Sequence, residues 1–218
     1  MKNFLNIDNQ SELYCSKVIC VARNYAAHAA ELNNEIPAEP VFFIKPNSSL
    51  SANGHRIFLP GYSQSIHHEV ELAVVIGREG KKISIEKAED YILGYAVAID
   101  LTARDIQNKL KEKSHPWEKA KAFDQSCPIS TVKLKKDIGS VADLPIRLSV
   151  NHEMRQNSRT GLMINKIPKL IANASEIFTL CEGDVILTGT PEGVGIVSSK
   201  DIIEAEIEGI AKLNLEVN

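Results

Sequence analysis

His67-His68-Glu69-Val70-Glu71-Leu72-Ala73-Val74-Val75-Ile76-Gly77 is the stretch from which the rest of the chain is best read. Side chains along a strand alternate between faces, so Val70, Leu72, Val74 and Ile76 form one apolar stripe. Glu69 and Glu71 begin the other face, which then continues through Ala73 and Val75. A strand that becomes apolar on both faces is buried on both sides. The sequence therefore predicts a central strand from His67 to Ile76, ended by Gly77, with two glutamates at the head of a buried face.

Short β-prone runs flank this strand. Lys17 to Ala22 is one, Val41 to Ile44 reads as a buried strand stopped by Pro46, and Tyr95 to Ile99 closes on Asp100. The polar segment from Asn47 to His55 reads as a loop. Asn24 is a plausible cap for an Ala-rich helix over Tyr25 to Leu32, and Thr102 for a charged helix from Ala103 to about Lys113. A further helix is expected over Ile167 to Phe178, followed by the strand Val185–Leu187. Hairpins are expected around Asn151-His152 and around Glu208-Gly209, where Ile203 to Ile207 and Ala211 to Val217 alternate apolar and polar residues. Many strands, three or four helices and no regular strand–helix alternation indicate an α+β domain with a mixed, largely antiparallel sheet structure.

The bulk properties exclude more than they assert. The chain has 218 residues, 44% hydrophobic and 24% charged, which suits one sizeable domain, read here as 17–218 after a short extension, 1–16. The net charge is −3 and the basic residues are scattered, so nucleic acid is not an expected partner. No apolar run approaches the ~20 residues needed to span a bilayer. The start lacks the apolar core of a signal peptide. Cys15, Cys20, Cys127 and Cys181 show no metal or redox spacing and read as thiols in a reducing compartment, with the cytoplasm expected.

The chemistry centres on acids. Adjacent carboxylates on one face repel, and burying them without partners is expensive. A divalent cation stabilises the charged form of both at once, and an all-oxygen donor set selects a hard ion, Mg²⁺, Mn²⁺ or Ca²⁺. Asp100 is the natural third ligand, beside Glu69 and Glu71. The competing reading of a short Glu-x-Glu motif is a solvated face.

Several pieces, taken in order, resemble the fumarylacetoacetate hydrolase family. They are Arg23-Asn24-Tyr25, Phe43-Ile44-Lys45-Pro46, His68-Glu69-Val70-Glu71-Leu72, Gly94-Tyr95-Ala96, Asp100-Leu101-Thr102-Ala103-Arg104-Asp105, Pro116-Trp117, Ala120-Lys121-Ala122-Phe123 and Leu187-Thr188-Gly189-Thr190-Pro191. The likeness is strongest to short members of the acylpyruvate hydrolase and oxaloacetate decarboxylase type. It implies a β-roll or sandwich with a few peripheral helices, usually a homodimer, and Mg²⁺ or Mn²⁺ on Glu69, Glu71 and Asp100. Residue 192, Glu in this chain, is often basic in such proteins.

The resemblance also implies residue roles. His28 and Glu31 lie three apart on a helix and hence on one face. The residues alone favour a surface pair, whereas the resemblance makes them a water-activating pair on a mobile lid. It places Lys121 beside the metal carboxylates, facing the substrate. Arg23, Lys45, Gln107 and Thr190 become candidate contacts for a small 2-oxo acid. The glycine-rich loop at Thr188–Gly195 lacks the Gly-Lys-Ser/Thr ending of a phosphate loop. The expected activity is cleavage of acylpyruvates to pyruvate and a carboxylic acid, with oxaloacetate decarboxylation open to the same site. The alternatives are isomerisation of 2-hydroxy-dienedioates, tautomerisation of oxaloacetate, and a non-catalytic oxo-acid-binding protein.

Overall fold

Val70–Ile76 lies in the middle of the larger sheet, whose strand order is Val41–Pro46, Lys17–Ala22, Val185–Leu187, Val70–Ile76, Ile92–Ile99, Cys127–Ile129 and Leu50–Ala52. The computed structural model describes residues 4–9 and 12–218. A second sheet runs Glu153–Arg159, Pro145–Val150, Ile202–Ile207, Ala211–Val217 and Arg56–Ile57. A small third sheet joins Thr102–Ala103, Ile66–His68 and Gly195–Val197. Between these strands, parallel pairing occurs where Val185–Leu187 meets Lys17–Ala22, Cys127–Ile129 meets Leu50–Ala52, and Ala211–Val217 meets Arg56–Ile57. The other pairings are antiparallel, as the lack of regular crossover helices requires. The result is the expected mixed α+β fold. Among the described residues, four α-helices surround the sheets: α1 (Ala26–Glu31), α2 (Arg104–Glu112), α3 (Glu118–Lys121) and α4 (Ile167–Ile177).

Both faces of the central strand are buried, for the reason its sequence indicates. Val70, Leu72, Val74 and Ile76 pack with Ile146, Leu148, Ile203, Ile207, Leu213 and Leu215 of the second sheet and with Leu170 and Ile171 of α4. Ala73 and Val75 face a second cluster with Val18, Cys20, Ala98 and Leu187. The small residues there admit close cover, and Leu5 and Ile7 supply part of it. Leu5 and Ile7 thus contribute to the core, which their sequence did not indicate. All four cysteines are unpaired thiols.

The turns follow local chemistry. Asn151 and His152 both take positive φ, 52° and 66°, the backbone of a tight two-residue hairpin. The C-terminal hairpin pairs Ile202 with Glu216 through to Ile207 with Ala211. Alternate residues of both its strands enter the core.

Four local expectations are corrected. The strand from His67 to Ile76 is interrupted at Glu69, so that Ile66–His68 and Val70–Ile76 belong to different sheets. Val41–Pro46 pairs on one side only and is a half-exposed edge rather than a buried strand. The polar segment after it is not all loop, since Leu50–Ala52 pairs with Cys127–Ile129. Neither expected cap operates, because α1 starts after Tyr25 and α2 after Ala103, both without a side-chain cap. The two polar residues have other partners, given below.

Gly94 sits where Ile92–Ile99 meets the short strand Lys133–Leu134, and a Cβ there would run into the Lys133 carbonyl. Backbone cannot move aside as a flexible side chain can. Gly94→Ala is expected to cost about 1–3 kcal/mol of stability. Gly139→Ala, where nothing lies within 4 Å of the added carbon, should cost far less. Urea unfolding of the two variants checks the contrast.

Candidate active site

Glu69, Glu71 and Asp100 converge: each offers a carboxylate oxygen, and the three oxygens lie within 4.8 Å of one another. The strands explain this. Glu71 lies in register with Ala98 on the neighbouring strand, and the Asp100 N–H donates to the Glu69 carbonyl at 2.8 Å. The break at Glu69 does not undo the cluster, because this bond holds Glu69 opposite Asp100. All three residues are buried, at 4%, 2% and 1% exposure, so the solvated-face reading is set aside.

Three cations from three other segments oppose them. The Lys121 ammonium donates to Glu69 Oε2 at 2.9 Å, to Asp100 Oδ2 at 2.6 Å and to the Thr102 hydroxyl at 2.6 Å. Lys45 Nζ lies 2.9 Å from Asp100 Oδ1, as an ion pair. It also donates to Ser126 Oγ at 3.0 Å and to the Lys121 carbonyl. Arg104 donates to Glu69 Oε1 through one nitrogen and to Gln107 Oε1 at 2.6 Å through another. Among the described residues, no cation forms an ion pair with Glu71. Its Oε2 accepts the Gly189 N–H at 2.6 Å.

This uneven pairing separates the acids. Burial alone would raise Glu69, but Lys121, Arg104 and His28 reverse that and hold its carboxyl far below the usual range. Burial pushes Glu71 well above its ordinary value, and the charges of Asp100 and Glu69 push it further. A divalent ion fits the donor set, because a carboxylate oxygen from each of the three acids lies within 4.8 Å of the others.

The base-like pair stands above this floor. His28 is buried in α1, and its Nδ1 lies 3.4 Å from Glu31 Oε2. Glu31 also accepts the Gly193 N–H, at 3.1 Å through Oε1, so one carboxylate joins α1 to the glycine-rich loop. Asn24 fastens that loop from below, with Nδ2 donating to the Thr188 carbonyl at 2.8 Å and Oδ1 accepting from Asn165 N at 2.7 Å. Gly189, at φ 93°, is required there, since an added Cβ would come within 2.7 Å of the Asn24 Cβ. Thr190 Oγ1 accepts from Gln156 Nε2 at 2.8 Å, which leaves the Thr190 hydroxyl proton for another acceptor. Gln156 is fixed in that sense, because its Oε1 accepts from Val70 N at 3.0 Å and faces His68 Nδ1 at 3.1 Å.

A cavity of about 40 Å³ joins these groups. It is lined by the three acids, His28, Lys121, Thr190, Arg23 and Gln107, and also by Arg104, Lys111 and Trp117. Glu31 stands behind His28, and Lys45 behind Asp100. Lys45 is fully buried and does not line the cavity, so its place is that of a counter-ion rather than the substrate contact expected from the sequence. Arg104, Lys111, Gln156 and the side chain of Asn24 were not singled out by sequence reasoning. Arg104, Gln107 and Lys111 share one face of α2 by spacing, and that periodicity could have found the first and third.

The fold and this acid-lined centre define a class. The family described as the fumarylacetoacetate (FAA) hydrolase C-terminal domain matches residues 17–218. The chain belongs to the fumarylacetoacetate hydrolase family. Oxaloacetate tautomerase FAHD1, mitochondrial, of Arabidopsis thaliana is 49% identical over 202 residues, 93% of this chain and 91% of that protein. Its human counterpart is 44% identical over 200 residues, 92% of this chain and 90% of that protein. Among solved structures, the fumarylpyruvate hydrolase of Pseudomonas aeruginosa in complex with Mn²⁺ and pyruvate superposes with a TM-score of 0.94. It is 36% identical, over 98% of this chain and 94% of that one. The 5-carboxymethyl-2-hydroxymuconate delta-isomerase of Mycobacterium smegmatis follows at TM-score 0.84 and 42% identity, over 93% and 78% of the two chains. These relatives are enzymes. No helix among the described residues is long and apolar enough to cross a membrane.

One neighbour of the acids carries a pH signature. Burial lowers His67 from 6.5 to about 4, and the Arg104 charge adds to this. The folded protein therefore binds fewer protons than the unfolded chain between those values, and stability falls as pH drops through that window. Above pH 6.5 the contribution is complete. His67→Gln should flatten the fall in melting temperature measured across the same interval.

Proposed function

We propose that the chain is a metal-dependent enzyme that forms and quenches the enolate of small 2-oxo acids, with oxaloacetate keto–enol tautomerisation as the reaction to test first. The observation that carries this is the buried Glu69–Glu71–Asp100 triad, opening into one cavity with His28, Arg104 and Lys121. Glu69, Glu71 and Asp100 would hold Mg²⁺ or Mn²⁺, which supplies Lewis-acid stabilisation of negative charge on the substrate oxygens.

The protein's own groups do the rest. Glu31 holds Nδ1 of His28, so Nε2 is the nitrogen left to act as a base. In tautomerisation that base removes a proton from the carbon next to the 2-oxo group, and the C–H electron pair moves into the enolate. A proton returned to the enolate oxygen completes the enol. Lys121 faces the developing charge, with Asp100 and Glu69 holding its ammonium in place. Arg104 and Gln107 contribute further donors on the same wall.

Hydrolysis of acylpyruvates of the fumarylpyruvate type is a second use of the same groups, and the likeness to a fumarylpyruvate hydrolase favours keeping it. There His28 takes a proton from water, the resulting hydroxide adds to the distal carbonyl, and the C–C bond breaks to release a carboxylic acid and the enolate of pyruvate. Isomerisation of 2-hydroxy-dienedioates draws on the same proton transfers. A binding protein without catalysis would need neither the His28–Glu31 pair nor its link to Gly193. The unpaired thiols favour a reducing compartment, and the cytoplasm is the proposed location. A homodimer is the proposed assembly, to be read as twice the chain mass in light scattering.

Three variants test the reading. Glu71→Ala and Asp100→Ala should each abolish turnover of oxaloacetate and of fumarylpyruvate, and should remove the rise in melting temperature that Mn²⁺ gives to the wild type. His28→Ala should slow tautomerisation and hydrolysis by about 10²–10⁴-fold. It should spare decarboxylation of oxaloacetate, in which CO₂ leaves without a base. Equal loss of all three reactions would remove the role of His28. Wild-type turnover unaffected by EDTA would remove the metal.

A further inference from the structure

A second cavity, of about 490 Å³, shares no lining residue with the acid-lined one. It lies between the strand Ile92–Ile99, the start of α4 and the segment 138–142. Its apolar wall is Ile92, Ile138, Val141, Met163 and Ile167. A cavity of this size suits a small organic molecule. Its wall is fastened to other parts of the fold. The Met163 backbone pairs with Tyr25, just ahead of α1, and Ile164 N donates to the Asn24 carbonyl at 2.8 Å.

Donors with capacity to spare line this apolar space. Tyr95 is 4% exposed, and among the described residues its hydroxyl makes no hydrogen bond. Burial, and then the Glu89 charge, push that hydroxyl up to about 12, so it keeps its proton and stays a donor. Lys166 donates to the Gly161 carbonyl at 2.5 Å, and among the described residues it forms no ion pair within 4 Å. It also stands at the start of α4, where no side chain caps the helix. Pro168 has no N–H, so Ile167 and Lys169 supply the free donors of that turn. The helix dipole and the ammonium both favour a negative group there. Glu89, the one carboxylate of the lining, is answered by Lys135 at 3.4 Å.

We propose that this cavity binds a monocarboxylate with an extended apolar body, its head taken by Lys166, the Tyr95 hydroxyl and the start of α4. One unanswered positive charge matches one carboxylate, since Lys135 and Glu89 cancel. The head gains charge-assisted bonds, and the body replaces water against Ile138, Val141 and Met163. The site stands apart from the proposed active site, and its loss would leave the enzyme reading untouched.

The experiment titrates octanoate, butyrate and octan-1-ol into the full chain with Mn²⁺, read by calorimetry. Octanoate should bind with a dissociation constant below about 1 mM, and butyrate about tenfold more weakly or worse, because each buried CH₂ adds to affinity. Lys166→Met should weaken octanoate about tenfold and leave octan-1-ol unchanged. Tyr95→Phe, which keeps the ring, should weaken octanoate about threefold or more. Bound octanoate should slow amide hydrogen exchange across residues 138–142 and 163–167. No octanoate binding by the wild type would overturn the site. So would equal affinity for butyrate, an octanoate affinity that survives both substitutions, or slowed exchange confined to α1 and the acids.

Discussion

Three carboxylates buried within reach of one another are the constraint on which the rest of this protein depends. Isolated from water and unpaired, they could not remain charged. The chain meets the cost by bringing cations from three segments far apart in sequence. Lys45 comes from an edge strand, Arg104 from the start of α2 and Lys121 from the end of α3. Each of these contacts exists only when the sheets have closed, so folding and assembly of the centre are one event. Glu71, left with a backbone N–H as its partner, is where the compensation is least complete. That is also where an added positive charge has most to offer.

The sheets hold this arrangement with little side-chain volume. One face of the central strand carries branched residues packed on the second sheet, while the other carries Ala73 and Val75 under a thinner cover. The acids sit at the head of that strand, where Glu69 interrupts it and its neighbours diverge into a third sheet. A break in pairing at the end of a rigid strand opens space for chemistry without exposing the core. The same logic explains Thr102. Expected as a helix cap, it lies in a strand, and its hydroxyl accepts from Lys121.

Much of the fold was legible because it is written in periodicity. The two-residue alternation around Val70–Ile76, the Asn151-His152 turn and the C-terminal hairpin all follow from local rules that tertiary packing did not overrule. The edge status of Val41–Pro46 was not legible, since edge and centre differ in partners rather than in hydrophobicity. The acids and Lys121 could be nominated from residue type and resemblance. Lys45 could be nominated too, but not as a counter-ion, because that role depends on what lies behind Asp100 in space. Gln156 carries no local signal at all. Its four hydrogen-bonding partners come from the central strand, from His68 and from the loop after Leu187.

Glu31 serves two elements at once. One carboxylate both orients the imidazole of His28 and clasps the amide of Gly193, so the geometry of the base and the position of the loop are coupled. A displacement of α1 would loosen both contacts at once, so the aim of the imidazole and the seat of the loop stand or fall together.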